Sequence, residues 1–241
     1  MNTFTDQFMF NKENDAFIKA AMMGPNALRI AEEMASYLQL HEDMRILDLG
    51  CGCGLSSLLL AEKYKAAVFA ADLWVSPSEN YERFKLLGID DRTIPIFCDA
   101  TKDLPFANHY FDVIFSVDAY HYFGRSPDML LSLIQHVKKG GLIAVAIPGW
   151  KSTVTNGVPD ALKSFFTEED AQCFQTIDWW KDLWQQTSGI ELLACHEMDC
   201  CKQAWEEWLT SPNPYAVQDI GIMEADNGQY FNMIQLVAQV I

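Results

Sequence analysis

The sequence predicts an α/β fold built on a mostly parallel sheet, and three observations support this prediction. Apolar segments of strand length alternate with segments of helical periodicity between Arg45 and Gly149. Several of the apolar segments end in an aspartate. The first of them continues into a turn with three glycines and then into a helical pattern. Alternation of this kind is typical of strand–helix–strand units, whose strands run parallel.

The glycine turn spans Asp48–Gly54 and precedes a predicted helix from Leu55 to Tyr64. Glycine lets the backbone turn tightly and approach a ligand that a Cβ atom would exclude. The free N–H groups at the start of the helix would point toward the same place, which favours a nucleoside cofactor. A dinucleotide fingerprint needs its third glycine one position later, where the two possible registers place Leu55 and Ser57. The spacing therefore argues against a nicotinamide dinucleotide.

Three later strands end in acids. Because parallel strands of such sheets bring their carboxyl ends to one crevice, we predict that these acids lie close together. The acids and their strands are Asp72 in 66–74, Asp99 with Ala100 in 93–100, and Asp118 in 110–118. A fifth strand follows the turn at Gly140 and Gly141 and ends at Pro148.

These segments resemble motif I and the later motifs of the class I S-adenosylmethionine (SAM) methyltransferases. The resemblance covers Arg45 to Gly149. It implies a Rossmann-like sheet of seven strands in the order 3-2-1-4-5-7-6, with strand 7 antiparallel. It also implies SAM as cofactor and S-adenosylhomocysteine as product. The residues that it implies for cofactor binding are Asp48, Gly50, Cys51, Gly52, Gly54, Asp72, Leu73, Trp74, Asp99, Ala100 and Ser116.

The resemblance implies a role for each part of this set. Asp48 and the glycine turn would hold the amino-acid half of SAM, and Asp72 would accept hydrogen bonds from the two ribose hydroxyls. Trp74 would offer a flat face to the adenine, which the Asp99-Ala100 pair would also contact. A structural interpretation stands beside each role, because aspartate is common at strand ends and before turns.

The segment from Val117 to Phe123 follows the fourth strand and holds an acid, an imidazole and two phenols. In methyltransferases similar to those of ubiquinone and menaquinone biosynthesis, this loop faces the sulfonium methyl and the acceptor. The segment also resembles the cyclopropane-fatty-acid-synthase-like group. The predicted catalytic residues are His121, as a base where the acceptor must lose a proton, with Tyr120 and Asp118 orienting the acceptor. Alternatively, His121 is a turn histidine and the tyrosines pack the wall.

We predict one domain over residues 1–241, with a helical lid (1–43), a SAM-binding core (44–149), an aromatic-rich insert (150–190) and two final strands flanking a helix (191–241). The lid holds two predicted helices, Glu13–Met23 and Ala27–Leu40, and the insert a capping pattern of Thr167 with Asp170. Five of the seven tryptophans lie between Trp179 and Trp208. They either line a substrate cavity or form the hydrophobic seam of an added subdomain.

The chain is acidic, with 33 Asp and Glu against 17 Lys and Arg, a net charge of −16 and a pI near 4.5. Such a surface repels nucleic acid and anionic membranes, so we expect a small-molecule acceptor, preferably neutral or cationic. Alternatively, the charge serves only solubility. The N-terminal residues lack a signal-peptide pattern, and a cytoplasmic protein without stable membrane association is predicted. Monomer and homodimer both remain open.

Seven cysteines, an odd number, indicate reduced thiols rather than disulfides. Cys195, His196, Cys200 and Cys201 raise the alternative of a zinc site, but the Cys-x-x-Cys spacing of structural zinc is missing and packing is favoured. No metal is predicted. The predicted function is methyl transfer from SAM to a small molecule by in-line displacement. A catalytically silent SAM-binding regulator, a nicotinamide oxidoreductase, and methylation of a lipid or metalloid remain as alternatives.

Overall fold

The structure, a computed structural model, describes residues 15–151, 158–167 and 171–241. Its strands are β1 Arg45–Leu49, β2 Ala67–Asp72, β3 Thr93–Phe97, β4 Phe111–Val117, β5 Val137–Trp150, β6 Gln175–Thr176, β7 Ile190–Glu197 and β8 Phe231–Val240. Its helices are α1 Asp15–Ala21, α2 Ala27–Ser36, α3 Leu55–Tyr64, α4 Pro77–Leu87, α5 Tyr120–Phe123, α6 Pro127–Ile134, α7 Ile177–Gln186, α8 Cys201–Trp208 and α9 Pro214–Asp226. A short 3-10 turn spans Asp160–Leu162.

The strands form one mixed sheet in the order β3-β2-β1-β4-β5-β8-β7. The pairs from β3 to β5 are parallel, and β8 runs antiparallel to both β5 and β7. With β7 and β8 as the predicted sixth and seventh strands, this order confirms the prediction. The two-residue strand β6, which pairs with the end of β5, was not predicted because it is too short to show a pattern.

Side chains alternate across β1 and divide the core into two layers. Ile46 packs with α1, α2, α3 and α8 on one face, whereas Leu47 and Leu49 pack with α6 and α7 on the other. This alternation sends Asp48 to the face covered by α3, because successive strand residues point to opposite sides. The two-layer arrangement also places the carboxyl ends of β1 to β4 at one edge of the sheet.

Both predicted lid helices are present but shorter than predicted. The first, α1, ends at Ala21, and the predicted residues 13 and 14 lie outside the described residues. The second, α2, ends at Ser36 because the chain tightens there, with the N–H of Leu38 donating to the carbonyl of Ala35. The predicted capping partner Asp170 also lies outside the described residues.

Asn26 connects the lid to the C-terminal part of the chain. Its side chain caps α2 by accepting from the N–H of Leu28 at 3.0 Å and donates to Glu207 at 2.7 Å. Its own N–H donates to the carbonyl of Ala204 in α8. The segment between α1 and α2 is therefore held in one position over the carboxyl edge of the sheet.

The tryptophan cluster is mainly core. Trp180, Trp184 and Trp208 are fully buried in the two layers, as the seam interpretation expects. Helix α9 was not predicted because its apolar residues do not share one face, and Val217 is 68% exposed. No helix within the described ranges is long and apolar enough to cross a membrane.

Candidate functional site

A crevice of ≈ 290 Å³ opens at the carboxyl ends of the parallel strands. The lid segment around Met23 and Pro25 forms its far wall. Nine of the residues predicted from sequence line it: Gly50, Cys51, Gly52, Asp72, Leu73, Trp74, Asp99, Ala100 and Asp118. The structure therefore brings together residues from four strand ends that lie up to 68 positions apart in the chain, from Gly50 to Asp118.

The glycine turn is held against the end of β2 by hydrogen bonds. The N–H groups of Gly50 and Cys51 donate to the carbonyl of Ala71 at 2.8 and 3.1 Å. Asn80, which is 1% exposed on α4, donates from Nδ2 to the carbonyl of Gly52 at 2.9 Å. Sequence analysis missed Asn80, whose only signal is a polar residue at a buried position of a helix.

Two of the glycines are required by the geometry. Gly50 has φ +77° and a Cβ placed there would lie 2.3 Å from the Cβ of Ala119. Gly54 has φ +87° and its Cβ would lie 2.5 Å from the ring of Phe84. Both positions combine a left-handed backbone with a close approach, so neither tolerates a side chain. Gly54 shapes the turn from behind the crevice wall.

Asp72 joins the turn to the loop after β2. Its Oδ2 accepts from the N–H of Gly52 at 2.8 Å, and its Oδ1 accepts from the N–H groups of Trp74 and Val75, each at 2.8 Å. A carboxylate offers about four acceptor positions. The side chain therefore keeps acceptor capacity toward the crevice that it lines, where hydroxyl donors would complete it.

Asp48 and Ser116 lie behind the crevice wall. They line neither the crevice nor the second cavity that is described below. Asp48 is fully buried, and its Oδ2 accepts from the hydroxyls of Ser56 at 2.7 Å and Ser57 at 2.5 Å. Ser116 donates to the carbonyl of Leu49 at 2.7 Å. Burial raises the pKa of Asp48 to about 6. In this structure both side chains support the wall formed by the glycine turn.

The raised pKa of Asp48 predicts a pH-dependent effect of Asp48→Asn. A protein in which a carboxyl group binds its proton more tightly in the folded state loses stability as pH rises. The loss begins at the pKa of the group in the unfolded state and ends above its pKa in the folded state. Because the pKa rises from the ordinary value of 3.8 to about 6, the free energy of unfolding of wild type relative to the variant should fall by about 3 kcal/mol between pH 3 and pH 8. Chemical denaturation without cofactor measures this difference. A difference independent of pH would contradict the assignment.

The side of the crevice that was predicted to face an adenine combines an exposed aromatic ring with a turn. Trp74 is 72% exposed and meets Tyr122 edge to face at 5.6 Å. Asp99 accepts from the N–H and the hydroxyl of Thr101 at 2.9 and 2.6 Å, and these bonds lower its pKa. Asp99 thus stabilises a turn, which is the structural role that the sequence offered as an alternative to adenine contact. It also lines the crevice.

The loop after β4 places its three predicted catalytic residues differently. Asp118 lines the crevice with φ +53°, and burial, together with Asp219, raises its pKa to about 7. Tyr120 is fully buried among aromatic rings of the core that include Trp184. It lines neither the crevice nor the second cavity that is described next. His121 stacks on Phe174 at 5.7 Å, and burial lowers its pKa to about 3. Packing therefore accounts for Tyr120, and His121 is a neutral imidazole.

A second cavity of ≈ 210 Å³, the inner chamber, adjoins the crevice. The two cavities share Met23, Gly24, Pro25, Asp118 and Tyr122. Aromatic rings form much of the chamber wall, namely Phe166, Phe174, Trp205 and Phe231. Its polar lining consists of Asp118, His121, Asp219 and Asn232. Of the tryptophan cluster, Trp205 alone lines either cavity over the described ranges, and sequence analysis did not single out Asp219 or Asn232.

The cysteines form no metal centre in the described structure. Across those residues, which include Cys195, His196, Cys200 and Cys201, no group of three or more His, Cys, Asp or Glu could hold a metal ion. Burial raises the pKa of Cys200, and that of Cys201 to about 11. The thiol form is therefore favoured over the thiolate that binds metals.

The sheet order and a crevice lined by a glycine turn and strand-end acids are typical of nucleoside-binding α/β proteins. Residues 47–145 match the family model described as a methyltransferase domain. Over this segment the chain is similar to that family, and this similarity supports SAM as its cofactor.

Individual relatives are distant. Methyltransferase GfsG of Streptomyces halstedii is 25% identical over 166 residues, which cover 68% of this chain and 59% of that protein. The chain spans between 21% and 59% of the length of eight curated relatives that it matches. Geranyl diphosphate C-methyltransferase of Streptomyces coelicolor A3(2), solved with Mg²⁺, geranyl diphosphate and S-adenosylhomocysteine, has a TM-score of 0.70 at 16% identity, covering 88% of this chain and 78% of its own.

The [4+2]-cyclase SpnF has a similar fold, with a TM-score of 0.67 at 16% identity, covering 89% of this chain and 81% of its own. At this level of identity the likeness concerns the fold alone. A shared fold does not determine the reaction.

Proposed function

We propose that this protein transfers the methyl group of SAM to a small-molecule acceptor. The observation that carries the proposal is the inner chamber next to the crevice, with Asp118 and Tyr122 shared by both. SAM in the crevice would supply an electrophilic methyl group, whose bond to sulfur breaks as the bond to the acceptor forms. An acceptor in the chamber would approach from the side of the shared residues.

The residues present fit this cofactor. Asp72 has acceptor capacity for the ribose hydroxyls. Gly54 is the N-cap of helix α3 and offers no side chain to bind the first N–H groups of the helix. Leu55 and Ser56, in the first turn of this helix, line the crevice. Free N–H groups and the positive end of a helix suit a carboxylate such as that of the methionine half. Trp74 offers an exposed ring to the adenine.

The chain's own contribution to methyl transfer would be positioning. In-line displacement needs the acceptor atom aligned behind the methyl group, and the aromatic walls of the chamber would restrict its orientation. His121 is a weak base because its pKa is lowered to about 3. Asp118, with a pKa raised to about 7, is better matched to accept a proton near neutral pH.

Calorimetric titration tests the cofactor assignment. We expect SAM and S-adenosylhomocysteine to bind with 1:1 stoichiometry and NAD not to bind, because the glycine spacing does not match a dinucleotide. Turnover with a panel of amines, thiols and phenols then tests transfer. Binding of NAD in place of SAM, or failure of both SAM and S-adenosylhomocysteine to bind, would overturn the proposal.

A catalytically silent SAM-binding regulator is the second candidate. It would share the crevice, and it would bind both nucleosides without turnover of any acceptor. The inner chamber favours the enzyme, because a regulator needs no second cavity beside the methyl donor. The acidic chain, with a net charge of −16, disfavours nucleic acid and anionic membranes as partners.

A further inference from the structure

We propose that the inner chamber binds the acceptor as an amine, so that the methyl group passes to nitrogen. This inference rests on the proposed function and specifies its substrate class. Two carboxylates, Asp118 and Asp219, line the chamber, and no lysine or arginine does so among the described residues. Arg125 acts on His121 electrostatically from outside the lining. The charge of the chamber therefore favours a cation.

Asp118 stands where the two cavities meet. It lines both of them, and its Oδ2 lies 2.9 Å from the point that a Cβ of Gly24 would occupy. The lid therefore approaches this carboxylate closely. A group bound by Asp118 lies between the space assigned to the methyl donor and the rest of the chamber.

Asp219 presents one oxygen to the chamber while the other is fixed. Its Oδ2 accepts from the indole N–H of Trp208 at 2.7 Å. This bond sets the orientation of the side chain on α9. Within the described part of the chain no hydrogen bond is found to Oδ1, which leaves that oxygen for a donor on a ligand. Burial raises the pKa of Asp219, as expected for a carboxylate that lacks a cation.

A second observation also indicates a ligand. Asn232 lines the chamber with 3% exposure, and neither its Nδ2 nor its Oδ1 has a partner among the described residues. Nδ1 of His121, which is 1% exposed, is likewise unpartnered there. Buried polar groups normally form hydrogen bonds, so unpartnered ones that line a cavity indicate a missing polar ligand.

The chamber walls complete a site for an organic cation. Phe174, Trp205, Phe231 and Tyr122 contribute aromatic rings. Aromatic faces attract ammonium groups, and carboxylates strengthen that attraction. A neutral phenol or thiol could donate a hydrogen bond to a carboxylate but would gain no attraction between opposite charges. An anion such as a diphosphate would be repelled.

The chemistry balances with the residues present. A bound ammonium group gives one proton to the carboxylate of Asp118, which frees the nitrogen lone pair. The nitrogen–carbon bond then forms as the methyl–sulfur bond breaks, and the positive charge passes from sulfur to nitrogen. The methylated ammonium product leaves, and Asp118 releases its proton to water. A pKa of about 7 lets Asp118 both accept and release that proton near neutral pH.

Binding of two molecules of the same shape tests the inference without turnover. Choline is a cation, and 3,3-dimethyl-1-butanol is its neutral counterpart. Each is titrated calorimetrically into the protein with and without saturating S-adenosylhomocysteine. We expect choline to bind on the order of tenfold more tightly than the alcohol, because only choline gains from the carboxylates.

Two variants test where the preference arises. Asp219→Asn keeps an oxygen for Trp208 and removes the charge, so it should fold and reduce the preference for choline by on the order of tenfold. Glu224→Gln removes the same charge from an exposed position of the same helix and should leave the preference unchanged. Equal changes in both variants would indicate a general field effect and overturn the inference.

The remaining outcomes separate the two proposals. Failure of choline to bind, or equal affinity for choline and the alcohol, overturns the amine site whether or not the nucleoside binds. Failure of S-adenosylhomocysteine to bind while choline is preferred overturns the proposed function and leaves a cation-binding chamber. Turnover of phenols or thiols with no amine turned over would also contradict the inference.

Discussion

Replacing Asp72 with alanine is expected to weaken SAM binding by on the order of a hundredfold or more. Two hydroxyl donors to a carboxylate contribute about 1.5–3 kcal/mol each. The same carboxylate also holds the N–H of Gly52 at 2.8 Å, so the variant loosens the glycine turn as well. Calorimetric titration of SAM measures the loss. Glu79→Ala, at an exposed position in the first turn of α4, is the matched control and should retain affinity.

A second ligand separates the ribose contact from the support of the turn. Wild type should bind S-adenosylhomocysteine more tightly than its 2′-deoxy analogue, because the analogue lacks one donor to Asp72. Asp72→Asn keeps an acceptor oxygen for Gly52, gives up the bonds from the N–H groups of Trp74 and Val75, and should lose most of that discrimination. Unchanged SAM affinity in Asp72→Ala would remove the ribose assignment. Retained discrimination in Asp72→Asn would restrict Asp72 to the turn.

Replacing Gly50 with alanine is expected to be strongly destabilising and to abolish measurable cofactor binding. The new Cβ would lie 2.3 Å from the Cβ of Ala119, so the loop after β4 must move. A left-handed backbone adds about 1–2 kcal/mol of strain for any residue with a Cβ. Because Ala119 adjoins Asp118, the movement would alter the boundary between the crevice and the inner chamber.

Gly140→Ala is the matched control for this prediction. Gly140 has φ +79°, and no atom lies within 4 Å of its Cβ position. Its substitution should cost only the strain, about 1–2 kcal/mol, and leave SAM affinity unchanged. Chemical denaturation measures the stability of both variants, and calorimetry measures their affinity for SAM. Equal losses in the two variants would show that strain alone, rather than the approach to Ala119, makes Gly50 necessary.

Local patterns were sufficient for the crevice. The glycine spacing and the aspartates at strand ends predicted the crevice, because parallel strands of this fold align their carboxyl ends. Asp72, Trp74 and Asp99 accordingly line one cavity. The alternation along β1 could also have placed Asp48 behind the wall, since its neighbours Leu47 and Leu49 pack into the opposite layer.

The inner chamber was beyond local patterns. Tyr120 and His121 are adjacent in sequence, yet one enters the core and the other lines the inner chamber. Asp219 belongs to α9, which was not predicted because it has no amphipathic stripe. Asn232 belongs to β8, whose apolar periodicity predicted a strand without reference to any site. Their relation to Asp118 depends on how the final segments pack against the lid.

By itself, the sequence determined the alternation of strands and helices and the glycine turn, because strand periodicity and glycine geometry act over a few residues. The sheet order and SAM as cofactor were implied by the resemblance to class I methyltransferases. Tertiary structure alone decided which of the tryptophans and acids face a cavity. That choice depends on contacts between distant parts of the chain. The hydrogen bond from Asn26 to Glu207, for example, joins residues 181 positions apart and helps to hold the lid over the sheet edge. Burial, and with it the raised pKa of Asp118, follows from such distant packing rather than from neighbouring residues.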